Sequence, residues 1–332
     1  MLAAPLPMHI PDGFLSVPVS LLLWAISLIV IAIAFRRVSR ELGEREVPVM
    51  GVLAAAIFAG QMLNFTVAGG TSGHLMGAAL ATILLGPWAS IIILTCVVSV
   101  QALIFQDGGL VVLGANIFNM GIVGTAVAYT VIRLFRRVSP NQKFGHFGGS
   151  FAAGWTSIFI VALSGGFSAA GCPSFSTAAR PSALELAFPA PSPANIAVPA
   201  MAGIHALIGI GEGLITLGAV SLIYSARPDL VKAENARAKG GISVWVGGGI
   251  LTLLLAILSP LASSHPDGLE WVAAQAGFLQ TARAPVIKIL PNYLFPGISD
   301  TSAATILAAI LGAVIVLVVA LVVAYLRRRR SA

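Results

Sequence analysis

Five histidines carry most of the chemistry open to this 332-residue chain: His9, His74, His146, His205 and His265. His9 and His74 each lie in a Gly-containing irregular segment at the edge of a long apolar run. Neutral imidazoles brought to one side of a helical bundle suit Ni, Cu, Co and Zn. Two histidines alone do not specify a metal, and an external turn with an incidental histidine is the plain alternative. His9 offers more if Met8 is the working N-terminus. A free α-amine, the deprotonated amide nitrogen of His9 and its imidazole Nδ1 then close two fused chelate rings in one plane. One further imidazole, for which His74 is the natural candidate, completes a square of nitrogens. That geometry favours Ni(II) or Cu(II) over Zn(II), which prefers a tetrahedron. Pro11, Asp12 and Gly13 are turn formers that would fold the terminus back into the bundle.

The other polar candidates are scattered. His205 and Glu212 are seven apart and share one helix face. Ionisable residues inside a membrane are rare and are usually functional or paired, so the two are expected to pair or to support a site, with direct ligation as the alternative. His146 beside Lys143 reads as solvated, as does His265 in SHPDGLEW at 264–271. Asp107 and Asn116 are expected to pack near external loops. Cys96 and Cys172 make neither a disulfide framework nor a CxxC pair.

Composition fixes what must position these groups. Hydrophobic residues make up 58% of the chain, charged residues 9%, and mean hydropathy is +0.96. A soluble domain carries roughly a quarter charged residues, so this is an integral membrane protein, and apolar runs near span length make it helical. The net charge of +7 does not point to nucleic acid. The cations gather between apolar runs, at Arg36, Arg37, Arg40 and Arg45, at Arg133, Arg136, Arg137 and Lys143, at Arg227, Lys232, Arg237 and Lys239, and at Arg327–Arg330. That pattern marks cytoplasmic loops.

Apolar segments at 17–35, 48–66, 75–86, 88–105, 111–134, 147–169, 198–224, 243–262 and 304–326 give an all-α polytopic bundle of about nine transmembrane helices, seven plus two. The N-terminus lies outside and the C-terminus in the cytoplasm. For this to close, 75–105 must cross twice and turn at Gly86, Pro87 and Trp88, although each full span needs about 20 residues. The segment NFTVAGGTSGH at 64–74 reads as irregular backbone, which at membrane depth must be buried in protein or line a polar cavity. The Pro-rich stretch 170–197 reads as an extended external loop. A charged linker at 226–242 separates a membrane domain over 8–225 from a two-span domain over 243–332.

The motifs MHIPDGFLS at 8–16, MLNFTVAGGTSGHLMG at 62–77, GPW at 86–88, QALIFQDGGLVVLGANIFNMG at 101–121 and HALIGIGEGLIT at 205–216 resemble the CbiM/NikM family across roughly 8–225. These are substrate-binding membrane components of energy-coupling factor (ECF) transporters for nickel and cobalt. The resemblance implies that the metal is held by the amine of Met8, the amide nitrogen and side chain of His9, and His74. It implies supporting roles for Asn64, Thr71, Ser72 and Gly73 in the loop, and for Gln101, His205 and Glu212 around it. PDGLE at 266–270 resembles the accessory domain of such transporters, which is implied to help metal loading. One departure is the segment MLAAPLP ahead of Met8. Retained, it would leave no free amine, so translation is expected to start at Met8 or the segment to be removed.

The implied role is uptake of Ni(II) as transported substrate, with Co(II) as the alternative and no organic cofactor. The sequence around His9 and the PDGLE tail resemble the nickel branch, and a square-planar site discriminates against high-spin Co(II). The chain has no Gly-Lys dipeptide and so no P-loop. ATP hydrolysis is therefore expected in separate ATP-binding cassette subunits, joined through a membrane coupling protein in the bacterial cytoplasmic membrane. An intramembrane metalloenzyme is a further alternative, but it would need a general base beside an open metal position and HExxH is missing. A self-driven permease would repeat ionisable residues through several spans, which these spans do not.

Overall fold

Away from water, long apolar runs can satisfy their backbone polar groups only as helices here, and helices dominate. The computed structural model describes residues 8–41, 43, 46–67, 69–139, 141–170, 193–226, 241–275, 277–285 and 287–329. MLAAPLP, Cys172, the rest of the Pro-rich stretch 171–192 and residues 227–240 of the linker lie outside them. In chain order the helices are α1 (Val17–Glu41), α2 (Val47–Gln61), α3 (Ala78–Phe105), α4 (Leu113–Val138), α5 (Gln142–Ala170), α6 (Pro193–Ala226), α7 (Ile242–Leu258), the short α8 (Gly268–Gln275) and α9 (Thr301–Arg329).

Among the described residues, 7 helices are long and apolar enough to cross a membrane by length and composition. The expected count of nine is thus not reproduced, for two physical reasons. With 15 residues, α2 reaches only about 22 Å, against a hydrocarbon core of about 30 Å. The other reason is α3, whose two arms are joined without a loop. Gly86 takes φ 81, ψ 171 just before Pro87, and Ser90 Oγ donates to the Ala78 carbonyl at 3.2 Å. A straight helix would hold those residues roughly 18 Å apart. The chain therefore doubles back at the expected turn, and its first arm is short.

The all-α expectation needs one correction. Phe65–Val67 (β1) and Thr71–Gly73 (β2) form an antiparallel hairpin in the register Phe65↔Gly73, Thr66↔Ser72 and Val67↔Thr71. Phe, Thr and Val favour strand, and Gly69 and Gly70 supply the left-handed turn at φ 79 and φ 76. The segment read as irregular is ordered backbone that carries His74 at its end.

α7 and α9 pack on α2, so the C-terminal pair is continuous with the bundle. Gly248 of α7 comes so close to α2 that a Cβ there would lie 1.9 Å from Val52 Cγ1; small residues at such crossings let membrane helices approach. Leu21 and Leu28 on α1, Ile250 and Leu254 on α7, and Val318 on α9 stay exposed, as apolar residues facing lipid do. The hairpin, the N-terminal segment and the loop between α7 and α9 meet at one end of these elements.

Candidate metal centre

Three nitrogens at the start of the described chain meet one carboxylate oxygen. The Met8 nitrogen donates to Asp107 Oδ1 at 2.6 Å and the His9 amide donates to the same atom at 3.0 Å. His9 Nδ1 lies 2.9 Å from it. This last contact is off the line of an N–H bond, and among the described residues neither ring nitrogen of buried His9 has an aligned hydrogen-bond partner.

Local sequence explains the placement. Pro11–Gly13 forms the expected turn, with Phe14 N–H to the Pro11 carbonyl at 3.4 Å. The Asp12 carboxylate accepts from the Leu110, Val111 and Val112 amides at 3.1, 2.9 and 3.2 Å, just ahead of α4, where the helix dipole favours an anion. Ile10 is clamped by Asn116 through its N–H and its carbonyl, both at 3.1 Å. Asp107 follows a π-helical stretch, Gln101–Phe105, and Gln106 at φ 63. Such π-bulges, where the helix is locally under-wound, are common at functional positions.

His74 leaves the hairpin with its ring centroid 5.8 Å from that of His9, at 79°. Its Nδ1 is 2.8 Å from the Leu75 carbonyl. A carbonyl can only accept, so Nδ1 carries the proton and Nε2 the lone pair, the arrangement usual for metal-ligating histidines. The loop after His74 is held from two sides. The Glu212 carboxylate accepts from the Met76 and Gly77 amides at 2.7 and 3.1 Å. Gln61 Nε2 donates to the Met76 carbonyl at 2.9 Å, and Gln101 Nε2 to Gln61 Oε1 at 2.9 Å.

The remaining sequence-predicted residues divide. Thr71, Ser72 and Gly73 are the buried strand β2, and Gly73 is pressed against Ile208 of α6. Ser72 ties the hairpin to the C-terminal domain, its Oγ donating to the His265 carbonyl and its N–H to the Pro266 carbonyl, both at 2.8 Å. Asn64 is buried, and its side-chain amide has no partner among the described residues. His205 and Glu212 do not pair. Seven residues along a helix is about 10 Å, and each has a nearer partner; His205 Nδ1 lies 2.9 Å from the Met201 carbonyl. His265 is exposed, in line with its solvated reading.

Sequence reasoning missed the centre of the network. Asp107 was expected only to pack near external loops, yet Oδ1 gathers the three nitrogens and Oδ2 accepts from Tyr293 Oη at 2.6 Å. Tyr293 belongs to the C-terminal domain and is stacked on Phe105 at 4.8 Å. Asp267 of the PDGLE stretch was also missed; it is buried beside the same cavity. The available signal for Asp107 was its Gly-Gly neighbour. A Cβ at Gly109 would fall 2.1 Å from Asp12 Oδ1, so only glycine lets the N-terminal segment lie down here.

The electrostatics are uneven. Burial pushes His74 down to about 4, with His9 acting the same way, so its ring is neutral near pH 7. Burial also works to lower His9, but the charge of the Asp107 carboxylate beside it overrides this and the net shift is upward. Burial opposes ionisation of Asp107, but His9, Tyr293 and the Met8 amide hold it down at about 2. Asp267 is pushed up to about 8 by burial. His9, His74, His205, Met120 and Asp267 face a cavity of about 100 Å³. That suits an ion with a few waters, since a water needs roughly 10–15 Å³ on this scale and drug-sized ligands need about 300 Å³ or more. Among the described residues no three His, Cys, Asp or Glu side chains form a metal cluster. Beside His9 and His74, the main-chain nitrogens of Met8 and His9 are further donors gathered at this place.

Comparison with known proteins identifies the family of the chain. The family described as "Cobalt uptake substrate-specific transmembrane region" matches residues 9–230, and the PDGLE domain matches 242–329. The putative fused nickel transport protein NikMN of Archaeoglobus fulgidus is 36% identical over 302 residues, covering 91% of this chain and 92% of that protein. The fused nickel transport protein NikMN of Rhodobacter capsulatus is 30% identical over 285 residues, covering 81% and 78%. The cobalt transport protein CbiM of Geobacter sulfurreducens is 30% identical over 238 residues, covering 70% and 64%. A solved structure of a truncated transition metal transporter superposes with a TM-score of 0.55 at 31% identity, over 66% of this chain and 99% of that one. These relatives are named as transport proteins and not as enzymes. The chain is a multi-pass membrane protein that belongs to the cobalt uptake substrate-specific transmembrane family and carries a PDGLE domain at its C-terminal end.

Proposed function

We propose that this chain is the substrate-binding membrane component of an ECF-type importer, taking up Ni(II) from outside and passing it to the cytoplasm. The observation that carries the reading is that Met8 N, His9 N and His9 Nδ1 all lie within 3.0 Å of Asp107 Oδ1, with the His74 ring centroid 5.8 Å from that of His9. An ion held by these three nitrogens and one of His74 has the planar set that favours Ni(II). Chelation requires the His9 amide to lose its proton. Asp107, held far down as a carboxylate, is a poor store for that proton. It orients the donors and offsets the charge of the ion, while the proton leaves through the cavity. Supporting roles fall to Gln101 and Glu212, which hold the His74 loop.

Nickel is favoured over cobalt because relatives matched through both domains carry nickel in their names, whereas the cobalt-named CbiM quoted above matches a smaller part of this chain. ATPase subunits and a membrane coupling protein supply the driving force. The protein sits in the bacterial cytoplasmic membrane with its N-terminus outside, and the short α2 and the two arms of α3 complete nine membrane segments. Uptake of radiolabelled nickel and cobalt by cells carrying the complete transporter tests this. Nickel uptake that disappears in His74→Ala is expected. Cobalt uptake without nickel overturns the choice of ion, and unchanged uptake in His74→Ala overturns the site.

A further inference from the structure

His205 has no role in the network just described. Its expected partner, Glu212, is engaged by the Met76 and Gly77 amides. An imidazole within a membrane helix is costly unless it is used. Its Nδ1 is tied to the Met201 carbonyl at 2.9 Å, which leaves the proton on Nδ1 and the lone pair on Nε2, the same preparation seen at His74. His205 lines the cavity that also holds His9 and His74. Along α6 it lies beyond Ile208, which packs on Gly73, and so on the side of the C-terminal domain's loop.

That loop brings a second donor. Gly268 stands directly against the His205 ring, where a Cβ would lie 2.6 Å from Cε1. The preceding residue, Asp267, is buried and lines the same cavity. It bridges to Ser72, two residues from His74. Its Oδ1 accepts from the Glu270 amide at 2.6 Å, and Oδ2 has no hydrogen bond among the described residues. Burial makes the ionised form of this side chain costly, and a cation beside its unbonded oxygen would offset that cost.

Resting on the metal-uptake reading above, we propose that His205 Nε2 and the Asp267 carboxylate form an acquisition site for a divalent transition-metal ion, one donor from each domain, which hands the ion to the His9–His74 centre. Imidazole and carboxylate together suit hydrated Ni(II) or Co(II). On arrival two metal–water bonds break and bonds to Nε2 and to a carboxylate oxygen form, with any proton on the carboxylate leaving to water. Exchange onto His74 Nε2 then moves no further proton, because each ring gives its Nδ1 hydrogen to a carbonyl and offers Nε2 to the ion. The PDGLE aspartate thereby acts on the ion itself.

The test is stopped-flow loading of nickel onto the purified full chain in detergent, followed by the visible absorption of the four-nitrogen chelate. His205→Asn keeps a donor for the Met201 carbonyl but removes the lone-pair nitrogen, and Asp267→Asn keeps shape but removes charge. Each should slow loading about tenfold or more, the scale of losing a metal-supporting group. A station on the path lowers the barrier in both directions, so release should slow equally and Kd should hold at one ion per chain. The double variant should be no slower than the slower single, and His205→Cys, which returns a donor, should recover the rate. Wild-type loading in both Asn variants overturns the acquisition site, as does a raised Kd with unchanged loading, which would mark a structural role or a ligand of the final site. If His205→Asn fails to fold, Asp267→Asn carries the same test. Failure of the uptake reading looks different: the wild-type chain would bind neither nickel nor cobalt.

Discussion

Asp107 uses one oxygen for three nitrogens and the other for Tyr293, so it joins the proposed chelating terminus to the C-terminal domain. Asp107→Asn should leave the chain folded yet weaken nickel binding by about 10–100-fold, as loss of a group orienting metal ligands does; calorimetric titration reads this directly. Tyr293→Phe removes a hydrogen bond to a charged group and should cost about 1.5–3 kcal/mol of stability, visible as a lower melting temperature. The pH dependence follows from the shifts at the two histidines. His9 is raised, so its proton competes with the ion as pH falls, whereas His74, near 4, stays neutral and adds no competition until far more acid conditions. Nickel affinity should therefore drop steadily from pH 8 towards pH 5.5 with net proton release on binding, and an affinity flat across that range would contradict the ligand set. Mass spectrometry of the active protein should find Met8 first; full retention of MLAAPLP would remove the amine ligand. His9 and His74 were legible because their chemistry is local: a histidine after a methionine, and a histidine after a Gly-rich segment. Asp107 and Tyr293 were not, since their bond spans 186 positions and nothing local to either residue announces the other.

At the scale of elements, the hairpin and the loop after it determine where His74 stands. Glu212 is the fastening, and Glu212→Gln would present an N–H where two backbone amides need acceptors. The change should destabilise the fold by about 1–3 kcal/mol and weaken nickel binding along with it; a melting temperature equal to wild type would show that the fastening is dispensable. The turn at Gly86 was readable because Gly-Pro breaks a helix whatever surrounds it. The hairpin was not, because seven residues of Thr, Val, Gly and Ser are read as loop until a partner strand and the α6 surface are in place. The His205–Glu212 pairing failed for a related reason. Shared helix face is a statement about direction, whereas pairing depends on which polar group lies nearest, and backbone groups of other elements were closer.

Across the whole molecule, composition made the membrane class legible, and several of the arginine clusters fall at helix ends. What they left open was how far the C-terminal domain reaches. Its two long helices pack on α2, and its loop supplies Ser263, Pro266, Asp267, Gly268 and Tyr293 to the cavity region. Gly248→Leu, which forces α7 away from Val52, should therefore loosen the metal site from a distance and lower nickel uptake without touching a proposed ligand. Unaltered uptake would mean that the two domains work independently. The four-nitrogen site itself is tested most directly by nickel K-edge X-ray absorption and magnetic susceptibility on the purified, nickel-loaded chain. Four nitrogen donors in a plane and a diamagnetic ion, both lost in His74→Ala, are the expected result; a six-coordinate paramagnetic nickel with oxygen donors would contradict the site.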